Sequence, residues 1–143
     1  QDIAKFIDLG ASAVQMGSIF VPTLECDSSA EFKKVYIDSE EKDIRIIQSP
    51  VGMPGRAFDG EFIRSVAAGN EKPRSCPFKC IKTCDYTKSP YCIILALYNA
   101  AKGNMNKGYA FAGKNAYLAD KISSVKEVIE KLKASFFLPK AVV

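Results

Sequence analysis

At 143 residues the chain suits one domain, or one large piece of a bigger one. Apolar residues make up 48%, enough for a core, and 20 Lys and Arg against 16 Asp and Glu leave a net charge of only +4, spread along the chain. That spread excludes a dense basic patch for nucleic acid. The most apolar run, Tyr91 to Ala101, is far shorter than the roughly 20 residues a membrane span requires.

The chain opens on Gln1-Asp2-Ile3, without the basic and apolar regions of a signal peptide. The five Cys therefore read as reduced thiols of a cytoplasmic protein. No Met precedes Gln1, and helical spacing has already begun at Asp2. The expectation is a chain that starts just before or inside an element of a longer parent.

In chain order, Ile3, Phe6 and Ile7 form the core stripe of a short helix over Asp2 to Leu9, ended by Gly10. Ala13-Val14-Gln15-Met16 reads as a short buried strand closed by Gly17-Ser18. Ser28 and Glu31 form a capping box before a helix carrying Phe32, Val35 and Tyr36. Ile44 to Ile47 is the second strand. It runs into a loop from Ser49 to Arg56 with two Pro and two Gly, a stretch expected to be irregular. Asp59 is placed to cap a helix bearing Phe62, Ile63, Val66 and Ala67, with Gly69 at its end.

Asn70 to Pro90 is polar and Cys-containing. Tyr91 to Ala101 is apolar nearly all round, which predicts a helix buried on most faces. Gly108 to Gly113 encloses a short buried turn or strand, and a second capping box, Ser124 with Glu127, opens a last helix with Val125, Val128, Ile129 and Leu132 on one face. Two strands are too few for a free-standing α/β sheet, so the remaining strands are expected upstream.

Three segments have chemical potential. Gly17-Ser18, after a strand, suits either an anion-binding turn with exposed N–H groups or an ordinary tight turn. Arg56 suits a phosphate or substrate carboxylate, though the pattern alone favours a rigid turn with a solvated Arg. Cys76, Cys80, Cys84 and Cys92, spaced Cys-x3-Cys-x3-Cys-x7-Cys, favour packed thiols over a zinc or iron–sulfur site, whose pairs are usually tighter. The chain has no His, which excludes a His base or His-ligated metal within it.

Residues 2–20, DIAKFIDLGASAVQMGSIF, resemble the "helix, LGA-x-x-VQMGT-x-F" signature of nitronate monooxygenases (2-nitropropane dioxygenases). FMN-dependent enoyl-acyl-carrier-protein reductases share that signature. Ser18 stands where Thr is usual and keeps the hydroxyl. SPVGMPGRA (residues 49–57) is similar to the family's later Gly-Arg loop, and CPFKCIKTC, SPYCI and FAGKNAY resemble the longer bacterial nitronate monooxygenases.

The resemblance implies an α/β fold, the C-terminal portion of a TIM (β/α)8 barrel with an added, mostly helical region. Residues 1–57 would carry the last barrel strand, phosphate loop and Gly-Arg loop, and residues 58–143 the helical region with its Cys-rich insertion. Gln15, Met16, Gly17 and Ser18 would match the strand and loop that hold the FMN phosphate, with Arg56 a further phosphate or substrate contact. The catalytic His and the partner Gly-rich loop would lie upstream, leaving no catalytic residue here.

The implied reaction is oxidation of an alkyl nitronate by FMN and O2 to a carbonyl compound and nitrite. NAD(P)H-dependent enoyl-thioester reduction on the same flavin scaffold is the alternative, and a non-catalytic module around the four Cys is a third. The partners expected are flavin and a small-molecule substrate, with no nucleic acid or membrane. Alone, the chain is expected to bind FMN weakly and to self-associate through its barrel-facing apolar surface.

Overall fold

The computed structural model describes residues 2–82 and 84–137. Gln1, Thr83 and residues 138–143, the end of the helical region expected over 58–143, lie outside the described residues. Five helices and one hairpin make up the regular structure among them: α1 (Asp2–Asp8), α2 (Ala30–Asp38), β1 (Ile44–Gln48), β2 (Pro54–Phe58), α3 (Glu61–Ala67), α4 (Ile93–Ala101) and α5 (Val125–Phe137). The class is α/β.

At the centre is the antiparallel hairpin of β1 and β2, with Ile44 opposite Phe58 and Gln48 opposite Pro54. A third extended segment, Tyr109 to Gly113, lies along β2. The N–H of Phe58 donates to Ala110 O at 3.1 Å, and the N–H of Ala112 donates to Arg56 O at 2.9 Å. These two bonds bracket the pair Ala57 and Phe111. The turn or strand expected over Gly108 to Gly113 is thus buried and strand-like.

Side chains alternate between the two faces of this layer. Ala57, Ile47 and Tyr109 meet Phe62 and Ile63 of α3, Ala96 of α4, and Tyr91. Phe58, Ala110 and Ala112 meet Tyr36 of α2 and Ala116 on the opposite face. Tyr109, only 1% exposed, ties the first cluster together: its ring stacks on Phe62 (6.1 Å, 5° between planes) and meets Tyr91 edge-on at 5.7 Å. On the other face Tyr36 meets Phe58 edge-on at 4.8 Å and its hydroxyl donates to Phe111 O at 2.6 Å.

Helix ends follow the local sequence closely where the partner is near in the chain. Gly10, at φ +98°, ends α1: its N–H reaches Ile7 O at 2.9 Å and that of Ala11 reaches Phe6 O at 3.0 Å. Gly69 and Gly103 follow α3 and α4 with φ +77° and +92°. The Ser124–Glu127 box forms as expected, with Ser124 N–H donating to Glu127 Oε2 at 2.7 Å and Glu127 N–H to Ser124 Oγ at 3.2 Å. The Glu25 carboxylate also accepts from Val125 N–H at 2.9 and 3.0 Å, a cap supplied from 100 residues away.

Several expectations are corrected. Ala13 to Met16 is not a buried strand: no strand lies beside it among the described residues, and Val14 and Met16 are exposed. A strand exists only through its neighbour's hydrogen bonds. The cap of α2 is Ser29, whose Oγ accepts from Phe32 N–H at 3.2 Å, one residue after the expected Ser28. Asp59 does not cap α3, whose N-cap is Gly60; its carboxylate pairs with Arg45 at 3.2 Å and Arg64 at 3.9 Å.

The loop expected over Ser49 to Arg56 is irregular only to Met53. Pro54 begins β2, a strand position where its missing N–H is tolerated. The helix after Tyr91 starts at Ile93 and is buried on one side only, leaving Leu95 and Tyr98 exposed.

Gly108 marks the closest backbone approach. A Cβ there would run into Ala96 O and the Ala100 backbone nitrogen of α4. Gly108→Ala should lower stability by about 1–3 kcal/mol through overpacking against backbone that cannot rotate away, read as a lower urea midpoint.

Burial pushes the Tyr36 phenol up to about 12, with Cys26 adding to the shift. Tyr109 and Tyr91 are also raised, first of all by burial. Below pH 10 folded and unfolded chains both keep these protons, so the linked stability is fully present. As pH rises towards 12 the unfolded chain alone releases them, and stability is lost. The urea midpoint should therefore fall between pH 10 and 12. The fall should be shallower in Tyr36→Phe, from a start lowered by about 0.5–1.5 kcal/mol for the lost hydrogen bond.

Candidate functional site

Gln15 to Gly17 lies exposed on the surface and leads into a half-buried Ser18, the first residue of a single 3-10 turn, Ser18–Phe20. Gly17 is open: a Cβ there would meet nothing within 4 Å. Among the described residues the N–H groups of Gly17, Ser18 and Ile19 have no intramolecular acceptor, whereas the next two, of Phe20 and Val21, bond back to Gly17 O and Ser18 O at 2.9 and 3.3 Å. An uncrowded turn with consecutive free donors fits an oxyanion such as a phosphate. Ser18 Oγ accepts from Gly113 N–H at 2.8 Å, which leaves its own hydrogen to donate outward.

Arg56 is linked to this turn indirectly, through the layer described above. It lies on the hairpin face that carries Phe58, by the two-residue period of the strand. Val21, three residues after Ser18, packs against the cluster on that face. One segment, Ala110 to Gly113, bonds β2 through its Ala112 end and Ser18 through Gly113. The Arg56 guanidinium is exposed and has no carboxylate partner among the described residues.

The four-Cys segment lies elsewhere. Cys76, Cys80, Cys84 and Cys92 all line one open cleft, with Pro50, Val51 and Tyr91 also on its walls. They are not on a helix; the chain turns between the first two at Lys79, a non-glycine residue at φ +44°. All four are free thiols, and among the described residues no three of His, Cys, Asp and Glu stand close enough to hold a metal ion. Among the described residues, too, no helix is long and apolar enough to cross a membrane.

Sequence reasoning missed Gly113 as a partner of Ser18. The contact spans 95 residues, and the FAGKNAY stretch was the only local sign that the region mattered. Ser18→Ala should speed hydrogen exchange at the Gly113 amide several-fold. Ser18→Thr, which keeps the oxygen, should leave its protection close to the original.

No curated protein sequence matches the chain. The fold is similar to that of FabK from Thermotoga maritima, with a TM-score of 0.71 at 26% identity over 93% of this chain and 39% of that one. A point mutant of the same FabK gives a TM-score of 0.70 at 24% identity, over 94% of this chain and 37% of the other. The chain thus spans under two fifths of the length of these structures. The nitronate monooxygenase family profile matches residues 1–135, and so the chain, with its VQMGS and Gly-Arg segments, belongs to the nitronate monooxygenase family.

Proposed function

We propose that this chain forms the phosphate-holding side of an FMN-dependent oxidoreductase that converts alkyl nitronates and O2 into carbonyl compounds and nitrite. The observation that carries the reading is the open turn at Gly17–Ile19, with three unengaged N–H donors and the Ser18 hydroxyl oriented by Gly113, inside a family match covering residues 1–135. Bound there by its phosphate, FMN would supply the redox chemistry, taking electrons from the anionic nitronate and passing them to oxygen.

The chain's own residues bind and orient. Backbone donors at a turn are fixed by the fold, so they hold an anion without first paying the entropy of ordering a long side chain. Arg56, exposed and without an acidic partner, offers a planar fork to a substrate anion or to the cofactor. None of the 143 residues is a His, so a His base for proton transfer would come from elsewhere in the protein.

A second reading is reduction of an enoyl thioester by NAD(P)H on the same scaffold; the VQMG and Gly-Arg segments are common to both activities and do not discriminate between them. The Cys-rich segment, which resembles the longer nitronate monooxygenases, favours the first. The test is the flavin spectrum of the full-length protein under anaerobic conditions. Bleaching by an alkyl nitronate, with nitrite released on readmitting air, is the expected result. Bleaching by NADPH alone, with rapid enoyl-thioester turnover and no nitrite, would replace the first reading with the second.

A further inference from the structure

We propose that Lys114 is the counter-ion of the phosphate held at the Gly17–Ser18 turn, an inference that rests on the flavin reading above. A phosphate monoester carries close to two negative charges at neutral pH. The segment assigned to hold it offers none in return: Leu9 to Leu24 contains no charged residue, and the residues flanking it, Asp8 and Glu25, are acidic. Neutral N–H donors alone would offset that charge, and a cation brought from another part of the fold would strengthen the hold.

The fold brings one. Gly113 N–H is bonded to Ser18 Oγ at 2.8 Å, and a Cβ built on Gly113 would lie 3.1 Å from the same oxygen. Lys114 is the next residue, its Cα about 3.8 Å farther along the chain. It sits at the tip of a tight turn, closed by Ala116 N–H donating to Gly113 O at 3.1 Å. A lysine ammonium on its flexible four-carbon stem can span the gap from that tip to an anion on the Ser18 turn.

Lys114 is exposed and forms no ion pair among the described residues, so no carboxylate competes for it. Arg56 is another exposed cation tied to this segment. It is joined to the segment two residues earlier, through Ala112, and not at the residue that touches Ser18. The geometry therefore divides the labour: Lys114 for the phosphate, Arg56 for the substrate end.

The test is a fluorescence titration of the flavin-free full-length protein with FMN and with riboflavin, which lacks the phosphate. Lys114→Gln should weaken FMN binding roughly 5–10-fold, as expected for one charge-assisted contact. It should flatten the salt dependence of FMN binding and leave riboflavin affinity unchanged. Lys114→Arg should restore most of the loss.

Equal loss for both flavins would show a merely structural role and overturn the assignment. So would unchanged FMN affinity in Lys114→Gln, or a selective FMN loss found only in Arg56→Gln. If the unmutated protein binds neither flavin, the flavin reading itself falls and takes this assignment with it.

Discussion

Two backbone hydrogen bonds organise this structure: Phe58 N–H to Ala110 O and Ala112 N–H to Arg56 O. They add the strand-like 109–113 segment to the two-stranded hairpin and complete a layer with a cluster on each face. Without them Tyr109 would lose its place between Phe62 and Tyr91, Tyr36 its acceptor at Phe111, and Ser18 its partner at Gly113. Each bond contributes only about 0.5–1.5 kcal/mol. The aromatic side chains that the register directs inward contribute more, since removing a buried Phe or Trp of comparable size costs about 3–5 kcal/mol. The bonds set the register and burial supplies the stability.

The candidate site depends on the same register. Gly55 faces the Phe111 ring so closely that a Cβ would lie 2.5 Å from Cε1, so any larger residue would push the ring aside where Phe111 crosses the hairpin. That crossing fixes Ala112 and Gly113 against Arg56 and Ser18. The Gly-Arg segment and the VQMGS turn, 38 residues apart in the sequence when counted from Ser18 to Arg56, are thereby linked through a third segment more than 50 residues farther on. The glycine thus lets the Phe111 ring pack close to the hairpin on the segment that also reaches Ser18.

Exposed apolar side chains complete the picture. Leu9, Leu24 and Met53 are each more than 70% exposed. Val14 and Met16, both exposed, precede the candidate turn on a segment with no strand partner among the described residues. The contrast with the sealed interior around Tyr109 and Ala110 is chemical as well as geometric. The interior is closed by aromatic rings and Ala, whereas the turn side presents unengaged amides beside apolar surface, the composition of a binding face.

What the sequence determined by itself was whatever depends on residues a few positions apart. The Ser124–Glu127 box, the glycine ends of α1 and α3, the β1 strand and the family signature in VQMGS and SPVGMPGRA are all of this kind. Where two local choices were close in energy, tertiary contacts chose. Ser29 took the cap from Ser28 in a segment whose N–H also bonds Ala101 O, and Asp59 turned to Arg45 and Arg64 when Gly60 became the N-cap. Pro54 to Arg56 reads as a loop from its residues and is a strand because β1 and the 109–113 segment flank it. Ala13 to Met16 reads as a strand and is not one, because nothing among the described residues pairs with it. Only the tertiary structure brought Gly113 to Ser18 and Glu25 to the start of α5, contacts across 95 and 100 residues. Local propensity is written in neighbouring residues, but a hydrogen bond between distant segments exists only once the whole chain has closed around its core.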